Sequence, residues 1–192
     1  MADLAPFQTC LDLTEGDPLP LPEKLAGVYG TLRVRKPAGR PLVIANFVTT
    51  LDGVISLKLP GLAGGEPISG GNAHDAMVMG LLRAVADVAI IGAGSLRAGP
   101  NSRVTAEYVF PPLAEEFRSL RAALGRPPSP LNVVVTARGA VDRQHPIFTS
   151  GEVRVLVLST DLGLAELRRH EWPEWVTLES IGAGDSLDPA AI

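Results

Sequence analysis

Residues 72–99, NAHDAMVMGLLRAVADVAIIGAGSLRAG, place a helix pattern directly before a strand pattern. From Asn72 to Ala86 apolar residues recur every fourth position, which predicts an amphipathic helix. These residues are Ala73, Met77, Leu81 and Val85. Ser69 or Asn72 can cap the start of this helix. DVAIIG (87–92) has the apolar, branched composition of a buried strand, and the Gly/Pro/Ser-containing segment AGSLRAGPNS (93–102) is predicted to be a loop.

The alternation of strand and helix patterns continues on both sides of this stretch. PLVIANFV (41–48) has the composition of a strand buried on both faces, and it runs into TTLDG (49–53), whose Asp-Gly pair signals a tight turn. Further strands are predicted at 131–136, 153–160 and 175–180, and further helices at about 113–124 and 161–170. This order predicts an α/β domain with a mostly parallel central sheet flanked by helices.

The two ends of the chain differ from the part between them. Residues 1–40 are predicted to form an irregular N-terminal arm, because the Pro-rich stretch 17–22 disfavours regular structure. We therefore assign the α/β domain to residues 41–192. Asp188 and Pro189 are typical of a helix start, yet the sequence ends before one turn is complete. This pattern predicts a missing continuation of the domain, and a frayed polar terminus is the alternative.

Composition argues against several classes of protein. The 192 residues include 17 basic and 21 acidic ones, a net charge of −4, which leaves no basic excess for binding nucleic acid. Cys10 is the only cysteine, so no intramolecular disulfide can form and a reducing, cytoplasmic location is expected. Because no apolar run reaches the length of a membrane span, no membrane partner is expected. The three histidines are far apart and have no cysteine at ligand spacing, so no metal site is expected.

Two segments follow predicted strands, where ligands bind in open α/β sheets. TTLDG (49–53) offers two hydroxyls and a carboxylate. GAGSLRAGP (92–100) has small residues that let backbone N–H groups approach an anion, and Arg97 adds a positive charge. This segment lacks the glycine spacing of a dinucleotide fingerprint and the lysine of a Walker A loop. By itself it is equally compatible with an ordinary turn.

Arg83 is a candidate for binding a phosphate group. It lies near the end of the predicted helix among apolar neighbours, where a guanidinium can bind phosphate through two hydrogen bonds. The alternative is that it bonds to the last carbonyls of its own helix. His74 and Asp75, near the helix start, are interpreted as surface and capping residues rather than as an acid–base pair.

Taken together, these segments resemble a known family, the pyrimidine reductase domain of riboflavin biosynthesis. The motifs that carry the resemblance are an apolar strand running into TLDG (50–53), then ISG (68–70), LLRA (81–84), ADVAIIG (86–92) and GSLRA (94–98). Their order and spacing are specific, although no single motif is decisive. The resemblance is closest over residues 41–105 and continues more loosely to the end of the chain. The family shares its fold with dihydrofolate reductases, so the resemblance implies a dihydrofolate reductase-like sheet.

The resemblance implies a homodimeric oxidoreductase that uses NADPH to reduce a ribosylaminopyrimidine 5′-phosphate to its ribitylamino product. The implied cofactor contacts are Val48, Thr49, Thr50, Gly94, Ser95 and Gly99. The implied substrate contacts are Gly65, Ser69 and Arg83. Of these, Arg83 is expected to bind the substrate phosphate. Asp52 is the hypothesis for an orienting or proton-handling residue, and a structural role in its turn is the alternative.

The chain departs from the family pattern at three places. After the cofactor loop the family usually has Asp-Asp-Pro, whereas this chain has AGPNS (98–102), so an acidic cofactor contact is missing. Pro67 stands where an aromatic residue is often found. The later Glu-Gly-Gly phosphate loop of the family is not in this sequence, so the resemblance implies a domain that lacks its C-terminal strands. These departures leave open a catalytically degenerate, reductase-like nucleotide-binding module. An unrelated α/β nucleotide-binding protein is a third interpretation.

Overall fold

A computed structural model of the protein describes residues 4–35, 37–57, 66–99 and 103–191. The α-helices in these ranges are α1 (Glu23–Tyr29), α2 (Glu66–Ser69), α3 (Ala73–Val85), α4 (Ala93–Ala98), α5 (Ala106–Val109), α6 (Ala114–Ala123), α7 (Pro146–Thr149) and α8 (Asp161–Leu167). The strands are β1 (Val88–Gly92), β2 (Leu131–Thr136), β3 (Val155–Ser159) and β4 (Val176–Ser180). Short 3-10 turns cover Pro111–Leu113 and Pro189–Ala191. None of the helices in the described ranges is long and apolar enough to cross a membrane.

The four strands form one parallel sheet in the order β1-β2-β3-β4. Helices connect each strand to the next, as parallel pairing requires. In the register, Ile91 aligns with Val134, which aligns with Val157, so branched side chains share one face of the sheet. The structure therefore confirms the α/β class and the four strands predicted after residue 86.

Buried apolar side chains form two clusters. The helical cluster joins α1, α3, α5 and α6 through Leu25, Met77, Leu81, Ala106 and Phe117, among others. The sheet cluster packs Leu96 of α4, Phe148 of α7 and Leu167 of α8 against strand residues such as Val134 and Val157. The sheet cluster supports the carboxyl ends of the strands, where the candidate site lies.

Helix α3 agrees with the prediction for residues 72–86. Of the two candidate caps, the structure uses Asn72, whose side-chain oxygen accepts hydrogen bonds from the backbone N–H groups of His74 (2.9 Å) and Asp75 (3.2 Å). The Nε2 atom of His74 lies 2.9 Å from the carbonyl oxygen of Ala5, in the N-terminal arm. The contacts of His74 and Asp75 therefore match the interpretation as surface and capping residues.

The prediction of a buried strand at 41–48 is wrong. This segment has no regular secondary structure and belongs to none of the ladders of the described sheet, and most of its apolar side chains are exposed; Val43, for example, is 79% exposed. An apolar run forms a buried strand only when a neighbouring strand and a covering layer are available. At β1, the edge of the described sheet, Val88 and Ile90 are also exposed.

The expectation of an irregular arm at 1–40 is also incomplete, because α1 lies within it. The helix follows directly on Pro22 and ends at Gly30, whose φ of +83° suits glycine. Leu25 is completely buried in the helical cluster. Proline before a short apolar segment is compatible with a helix start as well as with a loop, and burial of Leu25 favours the helix. The boundary at residue 41 stays a prediction.

Candidate active site

Helix α4 begins directly after β1 and occupies most of the segment predicted to be a loop. Residues 93–98 contain alanine, leucine and arginine, which favour helix despite the neighbouring glycines. Ala93 and Leu96 are buried, and Leu96 belongs to the sheet cluster. The intervening Gly94 and Ser95 are exposed. The packing of one side of α4 therefore leaves a glycine and a hydroxyl accessible at the carboxyl end of β1.

The carboxyl end of α4 is tied to the segment that follows β2. Arg97 Nη1 donates a hydrogen bond to the carbonyl oxygen of Ala140 (3.1 Å). Nε2 of His145 lies 3.0 Å from the carbonyl oxygen of Gly99, the residue that ends the helix. The Gly99 N–H in turn bonds to the carbonyls of Ser95 and Leu96, both at 3.2 Å. These contacts restrain the two predicted cofactor-binding residues Ser95 and Gly99.

The loop that receives Arg97 is itself tightly packed against α8. The hydroxyls of Ser159 and Thr160 donate to the carbonyls of Thr136 (2.6 Å) and Ala137 (2.7 Å). Gly139 has a φ of +67°, and a Cβ at this position would lie 2.4 Å from the carbonyl oxygen of Gly163. The loop therefore approaches the start of α8 more closely than larger residues allow, which gives Arg97 a fixed acceptor.

The predicted Asp-Gly turn is present at residues 50–54. Gly53 N–H donates to the Thr50 carbonyl (3.0 Å), and Gly53 has a φ of +85°. The Asp52 carboxylate accepts a hydrogen bond from the Thr50 hydroxyl, and Val54 N–H donates to the same hydroxyl oxygen (2.9 Å). Asp52 thus has the structural role in its turn, and its exposure leaves room for a second role. Val48, Thr49 and Thr50 lie on the same exposed to half-buried segment.

Arg83 lies in the last turn of α3 and faces α5. Its Nη1 donates to the carbonyl oxygen of Thr105, the residue that caps α5, over 3.4 Å. Burial lowers the pKa of the Arg83 guanidinium to about 10, and the nearby Tyr108 partly offsets this shift, so the group stays charged at pH 7. Among the residues that the structure describes, no carboxylate forms an ion pair with Arg83.

The carbonyls at the end of α3 are bound by a different arginine, which sequence reasoning missed. Arg121, only 1% exposed, donates from Nη1 to the carbonyls of Ala84 (3.0 Å) and Ala86 (2.8 Å), and from Nε to that of Pro127 (2.6 Å). Arg121 therefore forms the hydrogen bonds to the end of α3 that the alternative interpretation assigned to Arg83. The local pattern around Arg121, EEFRSLRAA (115–123), gives no sign of this distant contact.

The remaining predicted residues have less structural definition. Ser69 ends α2, is half-buried, and its carbonyl accepts a hydrogen bond from Asn72 N–H (3.2 Å). Gly65 lies outside the described residues. The hydrogen bonds named for Asp52, for Arg83 and for α4 lie in three separate local networks. Within the described ranges, no group of three His, Cys, Asp or Glu side chains is arranged to hold a metal ion.

Comparison with protein families decides how these pieces are interpreted. Residues 41–176, more than half of the chain, match the family described as the RibD C-terminal domain. The chain belongs to the RibD C-terminal domain family. No curated protein matches the chain in a sequence search. Membership in the RibD C-terminal domain family confirms the resemblance to the pyrimidine reductase domain of riboflavin biosynthesis and its dihydrofolate reductase-like fold.

For a RibD C-terminal domain, the general activity is that of a reductase in riboflavin biosynthesis that acts on a small pyrimidine and uses a nicotinamide cofactor. The matched residues include α4, Arg83 and the Asp52 turn. The acidic residue that the family usually has after its cofactor loop is missing, and of the segment that replaces it, residues 98–102, the last three lie outside the described residues.

Proposed function

We propose that this protein uses NADPH to reduce a ribosylaminopyrimidine 5′-phosphate to its ribitylamino product. The reduction breaks the bond between C1′ and the ring oxygen of the ribose, adds a hydride at C1′ and adds a proton to the released oxygen. The observation that carries the proposal is the family match, because it spans the candidate residues on α4, on α3 and in the Asp52 turn. A cytoplasmic location stays a prediction from the single cysteine.

The groups on α4 fit a dinucleotide cofactor. Ser95 has an exposed hydroxyl, Gly94 lacks a side chain that would keep a ligand from the backbone, and Arg97 adds a positive charge for phosphate groups. We assign cofactor binding to Gly94, Ser95 and Gly99, together with Val48, Thr49 and Thr50. When bound, NADPH supplies the hydride, so the contribution of these residues is to orient it.

Arg83 is the proposed ligand of the substrate phosphate. Its guanidinium is charged, half-buried and bonded only weakly to Thr105, so a phosphate would be a better partner than the present carbonyl oxygen. Arg103, whose guanidinium carbon lies 5.9 Å from the centre of the Tyr108 ring, forms an ion pair with Glu152 (2.7 Å), so we assign the phosphate to Arg83 alone. Ser69 and Gly65 stay proposed substrate contacts, by resemblance.

Asp52 is the proposed orienting or proton-handling residue. Its carboxylate accepts one hydrogen bond from Thr50, and a carboxylate can accept several. The exposed side chain therefore keeps acceptor sites for a substrate hydroxyl. Asp52→Asn keeps a hydrogen-bonding oxygen for the turn, so we expect an unchanged melting temperature and a lower kcat in NADPH oxidation. An unchanged kcat would leave Asp52 with its structural role alone.

The direct test is oxidation of NADPH by the purified protein, followed by its absorbance, on addition of the ribosylaminopyrimidine 5′-phosphate. The proposal predicts substrate-dependent oxidation and recovery of the ribitylamino product. NADH and the dephosphorylated substrate serve as controls for cofactor and phosphate recognition. Cofactor binding without oxidation would instead support the catalytically degenerate module. Neither binding nor oxidation would contradict both interpretations.

Arg83→Ala tests the phosphate assignment. Because a charged hydrogen bond would be lost, we expect KM for the phosphorylated substrate to rise about 10- to 100-fold while Kd for NADPH changes less than about 3-fold. Arg118→Ala is the matched control, since Arg118 is an exposed arginine that pairs with Glu115 on α6 (2.8 Å). An unchanged KM in folded Arg83→Ala would show that another residue binds the phosphate.

We also propose that the active form is a homodimer. Exposed apolar side chains on 42–57 and on β1 support this, because soluble proteins usually bury contiguous apolar surface at interfaces. Light scattering is expected to give twice the mass of the chain. Substitution of Phe47 and Ile90 by serine is then expected to give the mass of one chain. A single-chain mass for the unsubstituted protein would contradict the dimer.

A further inference from the structure

His145 lies buried between the end of α4 and the start of α7. It is 4% exposed and both ring nitrogens have a partner. Nδ1 accepts a hydrogen bond from the backbone N–H of Ile147 (3.2 Å) and thereby caps α7. Nε2 lies 3.0 Å from the Gly99 carbonyl oxygen, which can only accept. The two partners together require a neutral ring with its proton on Nε2, donated to Gly99.

This arrangement links the sheet cluster to α4 through one side chain. Ile147 and Phe148, next to His145, are buried in the sheet cluster, so the ring has a rigid base. On the other side, the Gly99 carbonyl oxygen accepts a hydrogen bond from Nε2, and the Gly99 N–H donates a hydrogen bond to the Ser95 carbonyl. A displacement of His145 would therefore be passed to the exposed Ser95 through a single intermediate residue.

The other hydrogen bond at the end of α4, from Arg97 to the Ala140 carbonyl, restrains the helix less. Arg97 reaches Ala140 with an exposed, flexible side chain, which can exchange this hydrogen bond for water at little cost. The ring of His145 has no such freedom, because it is enclosed and lies edge-on to Phe148 with ring centres 6.5 Å apart. Of the two ties, His145 is thus the one that fixes the position of Gly99.

We propose that His145 is a positioning residue, which holds the carboxyl end of α4 in the conformation that binds the nicotinamide cofactor. It acts through Gly99 and Ser95. The inference rests on the proposed function, since it takes α4 as the cofactor-binding segment. It assigns to the donor nitrogen of His145 a role in cofactor affinity, and to the acceptor nitrogen a role in stability through the cap of α7.

Two substitutions separate these roles. His145→Asn keeps an oxygen near the position of Nδ1, so it can still cap α7, but its side chain is too short to reach Gly99. His145→Gln carries an amide near the position of Nε2, so it can still donate to Gly99, but glutamine is a poor N-cap. His170→Asn is the matched control, because His170 is an exposed histidine just beyond α8.

For His145→Asn, we expect the Kd for NADPH to rise about 10-fold, the effect of one lost hydrogen bond, with Tm within about 2 °C of the unsubstituted protein. For His145→Gln, we expect the opposite, a Kd within about 2-fold and a Tm lower by about 2–4 °C. A role in stability alone would instead lower Tm in both variants and leave Kd within about 2-fold in both. Equal Kd values for His145→Asn and the unsubstituted protein would overturn the proposal.

Hydrogen–deuterium exchange without any ligand tests the positioning step by itself. In His145→Asn, the peptide covering residues 93–99 is expected to exchange about 10-fold faster, while the β2 peptide 131–136 and the His170→Asn control stay unchanged. Unchanged exchange at 93–99 would overturn the positioning role. Faster exchange in a protein that never binds NADPH, even unsubstituted, would support the positioning of α4 by His145 and overturn the proposed function.

Discussion

The α4 segment and the segment 42–57 both contain residues predicted to bind the cofactor, yet their structures differ from the sequence-based prediction in opposite directions. The Gly-rich segment predicted to be a loop is a helix, anchored by Leu96 and tied at its end by Arg97 and His145. The apolar segment predicted to be a buried strand has no regular secondary structure, and most of it is exposed. Local composition therefore predicts the wrong secondary structure for both segments.

The difference lies in the partners that each segment finds. Leu96 packs in the sheet cluster. Arg97 donates a hydrogen bond to the carbonyl of Ala140, 43 residues away in sequence, and the carbonyl of Gly99 accepts one from His145, 46 residues away. The segment 42–57 makes its described hydrogen bonds within the Thr50–Val54 turn. Order at the candidate site therefore depends on distant contacts, which hydrophobic periodicity does not reveal.

The largest expected effect is on the free energy of unfolding, which a substitution in α4 should lower much more than the same substitution in 42–57. Leu96→Ala removes a side chain that is 2% exposed and should lower the free energy of unfolding by about 3 kcal/mol. Leu51→Ala, the same change at a fully exposed position of the second segment, should alter it by less than about 0.5 kcal/mol. Urea denaturation measures both. Similar losses for the two variants would mean that residues 42–57 are buried in solution.

A smaller effect is expected from the loop that supports α4. A Cβ on Gly163 would lie 2.2 Å from Ser159 Oγ and 2.6 Å from the Ala137 carbonyl oxygen, so Gly163→Ala must displace α8 or the loop. We expect a loss of about 2 kcal/mol in the free energy of unfolding. Gly27→Ala is the control, since the added methyl in α1 meets nothing within 4 Å and should stabilise the helix by up to about 1 kcal/mol. Equal effects would contradict the close packing.

These contacts indicate what the sequence can and cannot predict. Helix α3 and strand β2 follow from local patterns, a four-residue apolar repeat with an Asn cap and a short branched run. Arg83 was recognised as a candidate because a charge among apolar neighbours is visible locally. The hydrogen bond from Arg121 to the Ala84 carbonyl joins residues 37 positions apart, and the one from His145 to the Gly99 carbonyl joins residues 46 positions apart. Such pairings depend on the tertiary structure, so the sequence alone does not reveal them.

A substitution in the Asp52 turn tests the segment 42–57 separately from the rest of the protein. Gly53 has a φ of +85° with open space around it, so Gly53→Ala adds about 1 kcal/mol of backbone strain without a clash. Because the segment can open without unfolding the domain, the expected change is local. The Val54 amide should lose protection from hydrogen exchange, while the overall free energy of unfolding changes by less than about 1 kcal/mol. Gly53→Asn, which tolerates positive φ, should keep the protection.

The smallest expected effect concerns the N-terminal arm. This arm is intermediate between the two segments, because a buried leucine and an ion pair between exposed Lys24 and buried Glu116 both hold α1. Lys24 Nζ lies 2.5 Å from Glu116 Oε1 on α6. This hydrogen bond lowers the pKa of the Glu116 carboxyl below its ordinary value of 4.5, although burial opposes the shift. A lowered pKa in the folded state adds stability above pH 4.5 that is lost as the pH falls through the lowered value.

Stability measured between pH 6 and pH 3 should therefore fall less steeply in Glu116→Gln than in the unsubstituted protein. Lys24→Met removes the other partner of this ion pair and should reduce the slope of stability against pH similarly. Arg118→Ala leaves Lys24 and Glu116 paired and should not change the slope. An unchanged slope in both Glu116→Gln and Lys24→Met would mean that the ion pair adds no stability and that apolar packing around Leu25 holds α1 to α6 and α3. In that case α1 would resemble α4, anchored by one buried leucine, rather than the exposed segment 42–57.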